Sequence, residues 1–508
     1  MGVVGATKLL GDGVPSDLTD LNRPGIVIDA MHIIFQLSKG HLAASNAILN
    51  RSSESMTSCY KILEFIMAWY VRYVIQPYVR DKGRSNCIVP VFVFDGYSSG
   101  AKKKTIKKRK DRQQSAVNTL ESIFKTRIGN FSKTNMLDLS DHSNRCIENT
   151  LDIKRKHLES AHGFDKNLRY KDLYLRNMRD SYNPTNEVSY VKLMLGLLGV
   201  PFVEAPTEGD AQCAALSAKY RIGTITGDMD VMLLGCSTIY KLSSARQLNL
   251  EAYDLESVLR DMSNRVSRIL KLDTAILSDP VITFGLVDLR SVCCLMGTDY
   301  CAGIRIDQNK LSIDSILWLY YTNGQDLLKV LLDLRDHRDS RIRQMIKLGL
   351  HPSSGLRKLK LYRSSSSSNN RDSRDSDSAY RITDSYISQM LEAFNQYNKE
   401  KVLDLPETVF RLDRPDVVQL TGFLSSFLNR ESIDKVVQLS QEAYECFCKN
   451  HGYCVNFDKS ISQKNDQSVD SCTKPRPYRP DIDLSLQPRY VEQLDRSDQL
   501  DLARICGC

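Results

Sequence analysis

The stretch Gly223-Thr224-Ile225-Thr226-Gly227-Asp228-Met229-Asp230 reads as a short buried strand running into two carboxylates. Two other runs follow the same pattern. Ile26-Val27-Ile28 is followed at once by Asp29, and Val91-Phe92-Val93-Phe94 by Asp95. Short apolar runs bounded by turn residues suit strands covered on both faces. Helical patterns lie between them. From Cys59 to Val74, six large side chains (Ile62, Leu63, Ile66, Trp69, Tyr70, Tyr73) share one helical face, and Pro77 is expected to close that helix. Tyr190–Leu198 and Ala211–Tyr220 read as two more helices. Strands alternating with helices imply an α/β fold, a parallel sheet with flanking helices, because parallel neighbours need a crossover. The carboxyl ends of such strands share one edge, where ligands collect, so Asp29, Asp95 and Asp228 should meet there.

Outward from this sheet the rhythm changes. Residues from about Tyr97 to Tyr182 separate two strands, too far for an ordinary loop, and read as a helical excursion above the sheet edge. After Asp299 the pattern is helical to about Leu361 and again from about Thr383. Ser364–Ser378 is a low-complexity loop, and the Pro-rich tail after about Ser460 reads as extended or disordered. The 508 residues carry 69 Lys plus Arg against 61 Asp plus Glu, a net charge of +8 that is compatible with a polyanionic partner without requiring one. The 14 cysteines include no Cys-x-x-Cys, and read as reduced thiols of an intracellular protein. No apolar run reaches the roughly 18 residues a membrane span needs. A myristoylation reading of Gly2 fails because Ala6 stands where Ser or Thr is wanted.

Seven acids stand out: Asp29, Asp95, Glu208, Asp210, Asp228, Asp230 and Asp299. Carboxylates crowded at one edge repel one another and resist ionisation unless cations sit among them. All-oxygen donors select Mg²⁺, with Mn²⁺ able to substitute, over zinc. Two such ions about 4 Å apart can clamp a phosphodiester and activate a water. Each acid also has a plainer reading. Asp29 and Asp95 could be ordinary strand-end residues. Thr207-Glu208-Gly209-Asp210 matches a capping box with Thr207 as the cap, and Asp228-Met229-Asp230 could be a turn. The recurrence of one residue type at one expected edge favours the shared site. Lys102–Arg112 holds eight basic residues in eleven, and a helix there would align Lys102, Ile106 and Arg109. It reads as a phosphate-neutralising helix, a solvated basic helix or a nuclear import signal. Cys446, Cys448, His451 and Cys454 could bind zinc, though free thiols on a helix and turn fit the spacing better.

Taken together, these blocks resemble the flap endonuclease family, the XPG-type 5′ nucleases. MGVVGATKLL (1–10) with IVIDAMHIIFQ (26–36) is similar to that family's N-terminal signature, and VFVFDG (91–96) to its second acidic strand. EAPTEGDAQCAAL (204–216), ITGDMDVMLLG (225–235) and CCLMGTDYCAGI (293–304) resemble its internal core and last acidic motif. A weaker match, Pro415 to Ala443, resembles its C-terminal helical segment. The resemblance implies a PIN-like nuclease core, a long helical arch insertion and a mostly helical C-terminal extension. It implies a nuclease that hydrolyses DNA phosphodiesters at branched or 5′-ended DNA, in replication, repair or recombination. Asp29, Asp95, Glu208 and Asp210 then correspond to ligands around a first Mg²⁺ ion, and Asp228, Asp230 and Asp299 to those around a second. Lys102 falls where the family contacts the scissile phosphate, Arg109 on the same arch helix, and Lys103 beside them as a DNA contact. Phe35 takes the place of a base-stacking tyrosine, and Gly2 that of an N-terminal glycine near the active site.

The implied regions are an N-terminal nuclease region (1–112), an arch or insertion (113–185), an internal nuclease region (186–305), a helical DNA-binding and C-terminal region (306–460) with a flexible loop at 364–378, and a tail (461–508). Several positions depart from the family pattern. Asp210 stands where Glu is usual, Phe35 lacks a phenol hydroxyl, and Ile304–Lys310 lacks the glycines of a phosphate-gripping hairpin. No sliding-clamp docking motif of the Gln-led aromatic type is present. These departures suggest a divergent member, working in a nucleus or a viral replication compartment. Two rivals remain at this point. An aspartyl-phosphate phosphatase would use Asp228 and Asp230, but Met232 stands where it needs Thr or Val. A DNA-binding scaffold with weak or no catalysis would have no need to keep all seven acids.

Overall fold

A computed structural model describes residues 7–11, 13–18, 23–44, 57–80, 87–96, 107, 110–116, 118–119, 187–244, 248–272, 282–306, 309–350 and 382–451. In chain order the elements are α1 (Thr7–Leu10), β1 (Val14–Ser16), β2 (Gly25–Asp29), α2 (Ala30–Ala44), α3 (Thr57–Trp69), α4 (Gln76–Arg80) and β3 (Val89–Phe94). Past the excursion come α5 (Val188–Leu198), β4 (Phe202–Glu204), α6 (Gly209–Tyr220), β5 (Thr224–Ile225), α7 (Asp230–Leu233), β6 (Thr238–Ser244), β7 (Asn249–Asp254), α8 (Leu255–Leu272) and α9 (Leu286–Met296). The remainder comprises β8 (Arg305–Ile306), β9 (Asn309–Lys310), α10 (Ile313–Thr322), α11 (Leu327–Lys347), α12 (Asp384–Gln396), α13 (Val417–Leu424) and α14 (Arg430–Asn450).

Seven strands form one sheet in the order β1-β7-β6-β5-β2-β3-β4. The five from β6 to β4 run parallel, as the βα rhythm requires. The β7 and β1 strands close the far side antiparallel. Every residue of β2 and β3 is buried, which explains their unbroken apolar runs. The central β2 has β3 on one side and β5 on the other, so the strand order reverses between β2 and β5. A crevice at such a reversal is the ordinary place for a ligand in an open α/β sheet.

The helix read from Cys59 to Val74 does not stop before Pro77. A π-helical turn, Tyr70–Ile75, carries α3 directly into α4, which contains Pro77. Proline has no N–H to offer the carbonyl four residues back. The Tyr73 carbonyl instead accepts from the backbone N–H of Ile88, at 3.1 Å. Trp69 Nε1 donates to the Ile88 carbonyl at 2.8 Å, so the same residue fixes the helix to β3 from both sides. Phe65 packs on Trp69 and edge-on to Phe92, and Trp69 packs on Tyr73, which builds the aromatic centre of this layer.

The excursion between β3 and α5 leaves and returns at fixed points. Gly96 N donates to the Thr207 carbonyl at 2.8 Å as the chain leaves β3. At the return, the buried Glu187 carboxylate accepts from Ser58 N, at the start of α3, at 2.6 Å. Most of the excursion lies outside the described residues, although residues 107 and 110–116 are helical, as expected for the basic segment. The hairpin β8–β9 forms despite its lack of glycine, with Arg305 opposite Lys310 and Ile306 opposite Asn309.

The C-terminal helices pack back on the sheet layer. The α14 helix lies against the π-helical turn, and α13 against α5. Between α12 and α13 an irregular strap runs along α6. Gln212 donates to the Leu403 carbonyl (3.0 Å) and accepts from Leu403 N (2.6 Å), and Tyr220 Oη donates to the Leu405 carbonyl at 2.7 Å. Phe410 then stacks edge-on against Tyr220 with ring centres 5.1 Å apart. Cys446 and Cys448 lie buried on α14 and His451 packs on Phe447, while Cys454 falls outside the described residues. Among the described residues no helix is long and apolar enough to cross a membrane.

Candidate functional site at the carboxyl edge of the sheet

Asp29 is the last residue of β2 and is 8% exposed. One of its oxygens accepts from His32 N, in the first turn of α2, at 3.0 Å. The other accepts from the Thr226 hydroxyl, at the end of β5, at 2.8 Å, so Asp29 bridges the strand reversal. Burial pushes the Asp29 carboxyl up to about 7, and the charges of Asp95 and Asp228 push in the same direction. The His32 and Thr226 donors pull it back only in part.

Asp95 follows β3 directly, and its Oδ1 accepts from Gly209 N at 2.8 Å. Gly209 opens α6, so the carboxylate sits on a helix N-terminus, where unsatisfied N–H groups favour an anion. A Cβ on Gly209 would lie 2.8 Å from Asp95 Oδ1, which only glycine avoids. Glu208, rather than Thr207, holds the N-cap position of α6, and no side chain of its own caps the helix. The Thr207 hydroxyl instead donates to Glu400 and to the Lys401 carbonyl of the strap, so the capping-box reading is corrected. Asp210 is half-buried in the first turn of α6. Cys213, a turn further on, is wholly buried, and its thiol is pushed well above its ordinary value by burial and by Asp29, Asp210 and Asp95. All three carboxylates thus act on the same buried thiol.

Thr226 serves both sides of the reversal, accepting from Asp228 N at 3.1 Å while donating to Asp29. Asp228 Oδ1 in turn accepts from Asp230 N at 3.1 Å, so the Asp-Met-Asp segment is a tight turn as well as an acid pair. Asp230 begins α7 and is 1% exposed. Burial and Asp230 push up the Cys293 thiol of α9, which underlies it. The Tyr397 hydroxyl donates to Asp230 Oδ1 across a long 3.4 Å contact, and burial beside Asp230 holds this phenol well above its usual range. Asp299, half-buried, lies in the turn after α9, where Thr298 Oγ1 accepts from Tyr300 N and Cys301 N.

The structure thus links Asp29, Asp95, Asp210, Asp228 and Asp230 through shared donors and mutual charge. Glu208 belongs to the same edge by its place in the chain, and Asp299 by the contact of its neighbour Tyr300 with Tyr397. Among the described residues, no three His, Cys, Asp or Glu side chains are disposed to hold a metal ion between them. The donors themselves are hard carboxylate oxygens, and burial, with the charges of Asp95 and Asp228 adding to it, raises Asp29, a state a divalent cation would relieve. Phe35 is half-buried on α2. Gly2, Lys102, Lys103 and Arg109 lie outside the described residues. Thr226, His32 and Tyr397 were not anticipated from sequence. The ring of His32 occupies the space a side chain on Gly227 would need, which accounts for that glycine. A Thr two residues before the acid pair was a readable signal. Nothing local announces Tyr397, 167 positions from Asp230.

A mostly parallel sheet that brings carboxylates to its strand-order reversal defines an acid-edged α/β protein. Two segments match known family models: residues 1–116 match the XPG N-terminal domain and residues 199–299 the XPG I-region. Over these two segments the chain is similar to the XPG family. Flap endonuclease 1 of Glossina morsitans morsitans is 26% identical over 316 residues, which is 60% of this chain and 63% of that protein. The Nematostella vectensis flap endonuclease 1 is 24% identical over 325 residues, 62% of this chain and 66% of that one. The chain therefore spans a little under two thirds of these relatives. Among solved structures, the catalytic core of Rad2 in complex with DNA substrate aligns with a TM-score of 0.49 at 19% identity, covering 86% of this chain and all of that one.

Proposed function

We propose that the chain is a structure-specific 5′ nuclease, hydrolysing phosphodiesters in branched or 5′-ended DNA with two Mg²⁺ ions. The observation that carries this reading is the Asp29–Thr226–Asp228 bridge, a buried carboxylate crowded by two others at the strand reversal. Asp29, Asp95, Glu208 and Asp210 would hold one ion, and Asp228, Asp230 and Asp299 the other, with Mn²⁺ able to substitute. When bound, such a pair supplies an activated water and offsets charge on the leaving oxygen.

The rest falls to the chain itself. Thr226 holds Asp29 and the Asp228 backbone in register. Lys102 and Arg109 offset scissile-phosphate charge, Lys103 and Gly2 contact the strand, and Phe35 stacks a base. Water adds across the P–O3′ bond, leaving a 5′-phosphate and a 3′-hydroxyl. Residues 1–112 and 186–305 form the nuclease regions, 113–185 the arch, 306–460 the DNA-binding and C-terminal region, and 461–508 a tail. The expected setting is a nucleus or a viral replication compartment.

The test is a panel of labelled flap, nick, gap and four-way DNA substrates with Mg²⁺, Mn²⁺ or chelator. Cleavage of a 5′ flap that needs the metal, and that Asp228→Ala abolishes while sparing DNA binding, is the expected result. Undiminished cleavage by that variant would refute the metal assignment, and binding without any cleavage would favour a DNA-binding scaffold.

A further inference from the structure

Asp230 is the most deeply buried of the seven acids for which an exposure is resolved near the reversal, at 1%, against 8% for Asp29. A carboxylate that far from water needs donors to fix its orientation. One comes from Tyr397, which is 4% exposed and follows directly on α12. A phenol O–H is a donor through the whole physiological range. The same ring meets Tyr300 edge-on, with centres 5.4 Å apart and planes at 86°, and Tyr300 adjoins Asp299. The next residue extends the grip. Asn398 Oδ1 accepts from Arg290 Nη1 at 2.8 Å, and Arg290 Nε donates to the Leu233 carbonyl, the last residue of α7, at 2.6 Å. Two consecutive residues therefore reach the first and last residues of α7 and the turn carrying Asp299.

We propose that Tyr397 is a positioning residue for the Asp230–Asp299 half of the site, and that through it the C-terminal helical region sets the geometry of metal ligands far away in sequence. The inference rests on the nuclease reading above. It assigns Tyr397 no contact with substrate. Its hydroxyl orients Asp230, its ring buttresses the Asp299 turn, and Asn398 with Arg290 locks α7 beneath both.

The test uses the full chain and Mn²⁺ as probe, followed by electron paramagnetic resonance, alongside 5′-flap cleavage as a function of Mg²⁺. Tyr397→Phe keeps the ring and removes the donor. Loss of such an outer hydrogen bond should weaken Mn²⁺ binding roughly tenfold. It should raise the Mg²⁺ concentration for half-maximal cleavage by a similar factor, with the rate at saturating Mg²⁺ much less affected. In an Asp230→Asn background, Tyr397→Phe should have no further effect, which a loss of packing alone would not explain. Asn398→Ala, which leaves the phenol in place, should shift both curves the same way by less. Wild-type Mn²⁺ affinity in Tyr397→Phe, or equal losses in the presence and absence of Asp230, overturns the positioning role and leaves the nuclease reading intact. A wild-type chain that neither binds Mn²⁺ nor cleaves overturns both.

Discussion

Asp29 and Asp95 end adjacent strands and take their donors from groups at the same edge, His32 N, Thr226 and Gly209 N. Asp230 begins α7 and accepts from Tyr397, which follows α12, while Asp299 lies in the turn after α9 beside Tyr300, which meets the same ring. One half of the site is thus made by the sheet and the helices that start from it. The other half is met by a residue of the C-terminal region. A carboxylate on a strand end inherits its position from the ladder, whereas one in a turn must be held by whatever packs over it.

The sharpest way to break this contrast is to release the strap. Phe410 is 4% exposed and stacks on Tyr220, and its ring also closes over Gly25 at the start of β2. Phe410→Ala should cost about 3–5 kcal/mol by emptying that niche. If the halves differ as described, Mn²⁺ binding should lose its Asp230-dependent component first, and equal loss at both halves would erase the distinction.

A smaller effect should appear on the sheet half. The folded state raises Asp29 from an ordinary carboxylate value to about 7, so it binds that proton more tightly than the unfolded chain does. Stability without metal should therefore fall as pH rises from about 4 to about 7 and level off above, a loss on the order of a few kcal/mol. Asp29→Asn should flatten that slope, and saturating Mg²⁺ should counter it in the wild type. Denaturant unfolding in chelator between these pH values measures the difference, and parallel curves for the two proteins would contradict it.

Smaller again is Thr226→Val, which keeps shape but removes the hydroxyl shared by Asp29 and Asp228 N. It should cost about 1–2 kcal/mol and weaken Mn²⁺ binding more than it shifts the dependence on Tyr397. Urea midpoints and the same resonance titration report both.

The difference between the halves also explains what sequence could and could not show. The β2, β3 and β5 strands were legible because strands covered on both faces leave unbroken apolar runs, each meeting an acid as it surfaces. The β4 strand has only three residues, and β6 and β7 mix polar with apolar side chains toward one side of the sheet, so none of them stood out. The antiparallel pairing of β7 and β1 was not foreseen for the same reason. Pro77 reads as a stop because its lost hydrogen bond is visible in the sequence and the Ile88 N–H that replaces it is not. Thr207 matched a local capping pattern but is claimed by Glu400 and Lys401, almost two hundred residues away. Local signals placed the acids, and long-range contacts decided how they are held.

The two anchor points of the excursion have a consequence of their own. Its outgoing end is tied at Gly96 to Thr207 and its returning end at Glu187 to Ser58, all of them groups of the sheet layer. Strain from a longer or shorter intervening stretch would stop at those knots. A change in the length of that stretch away from Lys102–Arg112 should therefore leave the sheet layer folded.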